Sequence, residues 1–165
     1  MTRILIAPAI LVALVAAAAA AAFPPHAKVV LRSTSLGSVL TDARGHSLYL
    51  FEADKRSKSA CYGQCAALWP PLLTTSSPTA GAGVKQGLLS TTKRKDGKLQ
   101  VVYAGHPLYF FSGDARAGQV KGEGIVHFGG AWYVVDAAGK KVTAEATPPA
   151  TASTARSNDV PSGVG

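Results

Sequence analysis

Two copies of one short motif carry the side chains that could do acid–base or binding chemistry. Each copy has a tyrosine, a phenylalanine two residues on and an aspartate three residues further: Tyr49, Phe51, Asp54 and Tyr109, Phe111, Asp114. Corresponding members are separated by 60 residues. A repeat at a fixed offset indicates a tandem duplication of one structural unit. In a strand the two rings would share one face, and the aspartate would close the next loop by accepting backbone N–H groups.

The motif allows two interpretations. We favour a structural one, in which the rings are buried and each aspartate fixes a corner. The alternative is a ligand groove lined by tyrosine hydroxyls and carboxylates from both halves. The serines show no nucleophile-elbow spacing, and no Gly-rich phosphate loop opens a helix. We therefore predict no catalytic residues and no enzyme activity, and an acid pair of Asp54 with Asp114 is the weakest hypothesis.

The cysteines and two of the histidines offer a second kind of chemistry. Cys61 and Cys65 are the only cysteines, and their spacing on a helical turn is within disulfide reach. We predict a structural disulfide, with a redox-active pair as the alternative. His46 and His106 lie at matching positions of the two copies and could meet at a metal, although we favour turn residues exposed to water. No four-ligand spacing is present, so no metal site or cofactor is predicted.

The elements that must position these residues are short strands between glycine turns. Strands are predicted over 36–41, 47–52, 88–92, 99–103, 108–111 and 132–135, with a turn at Asp96-Gly97. The segment 60–69 favours a helical turn, which Pro70-Pro71 would stop. The predicted fold is all-β: two tandem β-meander repeats sharing one core, with a short helical turn near the cysteine pair. Residues 23–34 are a linker and first strand, repeat one is 35–78 and repeat two is 84–143.

The two ends of the chain differ from the middle. Residues 1–22 combine a basic start with an apolar, alanine-rich run, which predicts a cleaved export signal rather than a membrane anchor. Residues 144–165 are rich in Pro, Ala, Thr and Ser, and we predict a disordered tail. No cysteine lies near the end of the signal segment, so no lipid attachment is expected there.

The chain is basic, with a formal net charge of +8. Its cations concentrate in two clusters: Lys55, Arg56 and Lys58, and Lys93, Arg94, Lys95 and Lys98. They are either solvated loop charges or a surface for an anionic envelope component, such as lipid headgroups or an acidic polymer. Export and the lack of a stacking strip argue against nucleic acid. Membrane contact would be peripheral at most.

The duplicated motif and the segment Cys61-x-Gly63-x-Cys65-Ala66, followed by Trp69-Pro70-Pro71, resemble one bacterial family. It comprises predicted lipoproteins with a Tyr-x-(Phe/Trp/Tyr)-x-x-Asp motif, also described as a secreted repeat of unknown function. The resemblance implies export, tandem repeats and an envelope location, but no activity. The expected function is an exported, periplasmic or extracellular, non-catalytic binding or structural module. The alternative is a small periplasmic redox or metal-binding protein that uses Cys61/Cys65 or His46/His106.

Overall fold

The computed structural model describes residues 26–143, so the predicted signal (1–22) and tail (144–165) lie outside the described residues. Short strands dominate this part of the chain. The strands are β1 Lys28–Thr34, β2 Gly37–Asp42, β3 Tyr49–Phe51, β4 Leu73–Thr74, β5 Thr79–Ala80, β6 Leu89–Lys93, β7 Leu99–Tyr103, β8 His106–Pro107, β9 Val126–His127 and β10 Gly130–Val134. One helix, α1 Gln64–Leu68, and a 3-10 turn, Gln86–Leu88, accompany them. The all-β fold and the helical turn beside the cysteines are confirmed.

The strands form three small sheets with the orders β2-β1-β5, β3-β10-β9 and β4-β7-β6, and β8 extends the last by pairing with β7. All the pairs are antiparallel except β1 with β5. The predicted hairpin turn joins β6 to β7, where Gly97 adopts a φ of 82°. Within residues 26–143, no helix is long and apolar enough to span a bilayer.

The two repeats are interleaved. In the first repeat, β3 pairs with β10 of the second, with Phe51 opposite Trp132. In the second repeat, the segment 108–112 bonds to 68–72 of the first: Phe110 N donates to Pro70 O at 2.8 Å, and Ser112 N donates to Leu68 O at 3.0 Å. Between these pairings Tyr49 and Tyr109 exchange backbone bonds of 2.8 and 3.0 Å. The two halves therefore share one interior, as predicted.

The shared interior has two apolar layers. Successive residues of β3 and its approach are buried on both sides, because Leu48 and Leu50 enter one cluster while Tyr49 and Phe51 enter the other. The same division occurs at Leu108 and Tyr109 in the second repeat. A continuous apolar run of this kind is typical of a strand that is covered on both faces.

One predicted strand was wrong, and one short strand was missed. Residues 108–111 form no strand, because the opposite segment contains Pro70 and Pro71, which have no N–H to extend a ladder. The sequence analysis also missed β5, which pairs with β1; close by, Gly81 N donates to Val29 O at 2.7 Å. A strand of two residues gives too short a pattern to be found in a Ser/Thr/Pro-rich segment.

Candidate functional site

The tyrosine and aspartate of the motif are joined across the two repeats. Tyr49 Oη lies 2.5 Å from Asp114 Oδ2, and Tyr109 Oη lies 2.8 Å from Asp54 Oδ2. Each tyrosine therefore donates to the carboxylate of the other copy. Both tyrosine side chains are fully buried. The interleaved backbone produces this crossing, because Tyr49 and Tyr109 exchange main-chain bonds and project toward opposite halves.

The second oxygen of each carboxylate fixes a loop. Asp54 Oδ1 accepts the Ala60 N–H at 2.7 Å, and Asp114 Oδ1 accepts the Lys121 N–H at 2.9 Å. Each aspartate N–H also bonds back to the phenylalanine of its own copy, at 3.1 and 3.0 Å. The two carboxylates thus have matching partners, and each ties the loop that follows it to the end of the motif.

The rings of the motif pack around two stacked tryptophans. Trp69 and Trp132 stack with centroids 4.0 Å apart and planes 5° from parallel. Phe51 stacks on the outer face of Trp132 at 4.0 Å, and Phe111 covers Trp69 at 4.4 Å. The tyrosines meet the tryptophans edge-on at 5.4 and 5.1 Å. Each ring pair adds about 0.5–1.5 kcal/mol beyond area burial, so this stack is a main source of stability.

Burial dominates the electrostatics of the motif. It raises the pKa of Tyr49 and Tyr109 far above the usual phenolic range, and their partner carboxylates add to the rise. Burial also raises the pKa of Asp54 to about 6, although the Ala60 N–H, the Tyr109 hydroxyl and the Arg94 charge oppose the shift. At neutral pH the tyrosines are therefore protonated donors and Asp54 is an acceptor.

Arg94 is part of this site, which the sequence did not reveal. It was assigned to an exposed basic cluster, but its side chain is only 2% exposed. Its guanidinium donates to Ser59 Oγ at 2.9 Å, to Gln100 Oε1 at 2.6 Å and to Cys61 O at 2.8 Å. Ser59 Oγ in turn lies 2.8 Å from the Tyr109 hydroxyl. The alternation of the residues along β6 and just after it could have revealed this, because Thr92 and Arg94 are buried while Thr91 and Lys93 are exposed.

The cysteine pair, His46 and His106 each have different partners. Cys61 and Cys65 form a disulfide, with Cα atoms 5.2 Å apart, at the start of α1. His46 Nδ1 lies 3.7 Å from Asp42 Oδ2, whereas His106 pairs with Tyr103 in the β7–β8 ladder. Partial burial lowers the pKa of His106. Among the residues from 26 to 143, no three His, Cys, Asp or Glu side chains are placed to hold a metal ion.

A shallow groove of about 200 Å³ lies at one end of the motif. Only one motif copy reaches it, through Phe111 and Asp114. The other lining residues are Arg44, His46, Ser47, Pro70, Phe110 and Ser112. Because Asp114 already bonds Tyr49 and the Lys121 N–H, the groove offers a ligand little of that carboxylate. The alternative interpretation of the motif expected a groove lined by both copies, whereas this groove is lined by one copy.

One family matches the chain at two segments, residues 30–73 and 90–136, and it is described as a secreted repeat of unknown function. The two segments together cover more than half of the chain. The chain belongs to this secreted repeat family. Each match contains one motif copy, so the duplication inferred from the sequence and the family's repeat coincide. Secretion agrees with the disulfide, which requires an oxidising compartment, and the protein is therefore an exported one.

Two further comparisons gave no relatives. No curated protein matches the chain, and no solved structure matches it.

Proposed function

We propose that this member of the secreted repeat family is a non-catalytic module of the cell envelope, periplasmic or extracellular, that binds an anionic component through its basic loops. The motif supports a scaffold role rather than a reaction. Its hydroxyls and carboxylates are used in bonds between the repeats, and its aromatic rings fill the interior. The chemistry left for a partner is therefore on the surface.

The observation that carries the proposal is the position of the two basic clusters. They are far apart in sequence, yet Arg94 joins them, because its guanidinium bonds Ser59 Oγ and Cys61 O just after the first cluster. The next residue, Lys95, donates its N–H to the Tyr62 hydroxyl at 3.2 Å. The buried arginine thus fixes the turn of the second cluster beside the loop of the first.

The remaining cations of both clusters are exposed. They are Lys55, Arg56, Lys58, Lys93, Lys95 and Lys98. The Asp96 carboxylate, 42% exposed, lies 3.7 Å from Arg94 Nε and offsets the charge of that buried arginine. A concentration of one sign of charge on adjoining loops attracts anionic surfaces and raises association rates at low salt.

Retention on envelope material tests this function. The exported protein would be incubated with washed membrane and cell-wall fractions of its own cells, at rising salt. A variant with all six exposed cluster cations changed to Gln should be released at lower salt than the wild type. The charge-matched control changes Lys28, Arg32, Lys85, Arg116, Lys121 and Lys140, which are also exposed. Equal loss of retention in both variants would reduce the effect to net charge and refute the proposal.

The redox or metal-binding alternative rests on the Cys61–Cys65 disulfide and on His46/His106. Elemental analysis and an absorption spectrum of the exported protein, with a thiol titration before and after mild reductant, test it. Bound metal, or reversible reduction without loss of fold, would favour the alternative over the binding module.

A further inference from the structure

Two tight turns with unusual backbones lie beside each other. In the first, Lys55 and Lys58 pair across Arg56 and Ser57, whose φ angles are 50° and 61°. In the second, β9 and β10 pair across Phe128 and Gly129, with φ angles of 56° and 86°. Two successive positive φ angles define the tight hairpin turn that normally takes Asn-Gly or Gly-Gly. Arginine and phenylalanine are poorly suited to the positions they occupy.

Both turns present side chains to solvent. Arg56 is exposed. Phe128 is 37% exposed, and Val126 in the same hairpin is 78% exposed. These two are the exposed large hydrophobic residues of the described part of the chain. The Phe128 ring stacks on its neighbour His127, with ring centroids 3.9 Å apart. Backbone strain at a solvent-exposed turn is typical of a surface used for contact with something else.

The two turns are held together by a close backbone approach. A Cβ built on Gly130 would come within 2.8 Å of the Ala53 backbone nitrogen, so the hairpin lies directly against residue 53. Phe128 is two residues from Gly130, and Lys55 is two residues from Ala53. Two residues span at most about 7 Å, so Phe128 and Lys55 each lie within about 7 Å of one side of this contact. We name the surface formed by Lys55, Arg56, Lys58, Val126 and Phe128 the paired-turn surface.

We propose that the paired-turn surface docks the exported protein onto anionic lipid bilayers, with Phe128 and Val126 entering the interface and the cations of the 55–58 turn facing the headgroups. This inference rests on the proposed function and specifies its ligand. An aromatic ring with flanking cations is the combination that holds peripheral proteins at a charged bilayer, because apolar burial and headgroup attraction add. A soluble polyanion would use the cations but would give no reason for an exposed phenylalanine in a strained turn.

Sedimentation with vesicles tests the inference. The exported protein, with its N-terminus read by mass spectrometry, would be mixed with vesicles of phosphatidylcholine alone or with one third phosphatidylglycerol. We expect pelleting with the anionic vesicles, weakened by 0.5 M salt. Phe128→Asn should weaken binding by about tenfold, and Arg56→Asn by about fivefold. Phe128→Trp should retain binding, and Lys85→Gln, a cation outside both turns, should change it by less than about twofold.

The asparagine variants separate binding from folding. Asparagine tolerates positive φ better than phenylalanine or arginine, so both variants should melt at or above the wild-type temperature. Loss of vesicle binding without loss of thermal stability supports docking by the paired-turn surface. Unchanged binding of Phe128→Asn, or equal pelleting with neutral vesicles, overturns it. Binding to soluble polyphosphate but not to anionic vesicles overturns the inference and leaves the proposed function standing, whereas binding to neither overturns both.

Discussion

Removing the Tyr109 hydroxyl tests the crossed motif directly. Tyr109→Phe keeps the ring against Trp132 and removes the donor that lies 2.8 Å from Asp54 Oδ2. A hydrogen bond to a charged acceptor contributes about 1.5–3 kcal/mol, and the buried carboxylate would be left short of one partner. We therefore expect the free energy of unfolding to fall by about 2–3 kcal/mol. Tyr49→Phe should cost about as much, because Tyr49 also accepts the Gly122 N–H at 3.2 Å.

Double-mutant cycles test which aspartate accepts the hydrogen bond of each tyrosine. Tyr109→Phe combined with Asp54→Ala should show a coupling of about 1–2 kcal/mol, because both changes remove the same bond. The lost bond from the Ala60 N–H occurs in both Asp54 variants and cancels. Tyr109→Phe combined with Asp114→Ala, which pairs the members of one copy, should be additive within about 0.5 kcal/mol. Tyr49 should show the mirror pattern, with coupling to Asp114 and none to Asp54.

Urea denaturation followed by tryptophan fluorescence is suitable, because Trp69 and Trp132 stack at the centre of the interleaved repeats. The measurements should be made near pH 8, where Asp54, with a pKa of about 6, is ionised. Coupling within each copy rather than between copies would refute the crossed arrangement. Couplings below about 0.5 kcal/mol for all four pairs would show that the hydroxyls contribute little and that the rings alone hold the motif.

Three further predictions concern the surroundings of the motif. Since burial raises the folded-state pKa of Asp54 to about 6 from an ordinary value of 3.8, the folded protein takes up this proton at a higher pH than the unfolded chain does. From pH 7 to pH 4 the wild type should therefore gain stability relative to Asp54→Asn, by at most about 3 kcal/mol; urea titrations showing the opposite slope would contradict this. Arg94→Lys should lower the free energy of unfolding by about 2 kcal/mol because lysine cannot reproduce the three-acceptor fork. The matched Lys93→Gln should change the free energy of unfolding by less than about 0.5 kcal/mol. A loss in this variant as large as that of Arg94→Lys would contradict a specific role for the Arg94 hydrogen bonds. Replacing both Cys61 and Cys65 with Ser should lower stability by about 2 kcal/mol from loop entropy alone, and an unchanged denaturation midpoint would contradict this.

The motif was predictable because its physics is local. Tyr and Phe two residues apart, followed by Asp, indicate a strand edge and a corner wherever the strand pairs. The repeat offset likewise showed that two equivalent units exist. The disulfide followed from two nearby cysteines in an exported chain. Each of these inferences needs only a few neighbouring residues or a comparison of the chain with itself.

The partners of the motif were not predictable, because they depend on which strands cross. Nothing in the spacing of Tyr109 and Asp54 distinguishes a bond between copies from a bond within one copy. Arg94 was misassigned for a related reason. A run of cations predicts side chains exposed to solvent, whereas the buried Arg94 side chain bonds acceptors that are distant from it or from one another in sequence: Ser59 Oγ, Gln100 Oε1 and Cys61 O. The strained turn at Phe128 was also missed, because a Gly-rich stretch gives no register for a hairpin.

The hydrogen bonds between the tyrosine of one copy and the aspartate of the other explain why the motif occurs twice. A single copy would hold a tyrosine donor and an aspartate acceptor that do not bond each other, so its polar groups would be satisfied only by a second copy. Covalent duplication supplies that second copy at high effective concentration.

Because the motif residues bond and pack the two halves together, substituting them would lower the stability of the protein. The side chains of Lys55, Arg56 and Lys58, in the loop after Asp54, are exposed and take no part in these bonds. The paired-turn surface that we propose for docking therefore uses loop side chains that can change without breaking the bonds between the repeats.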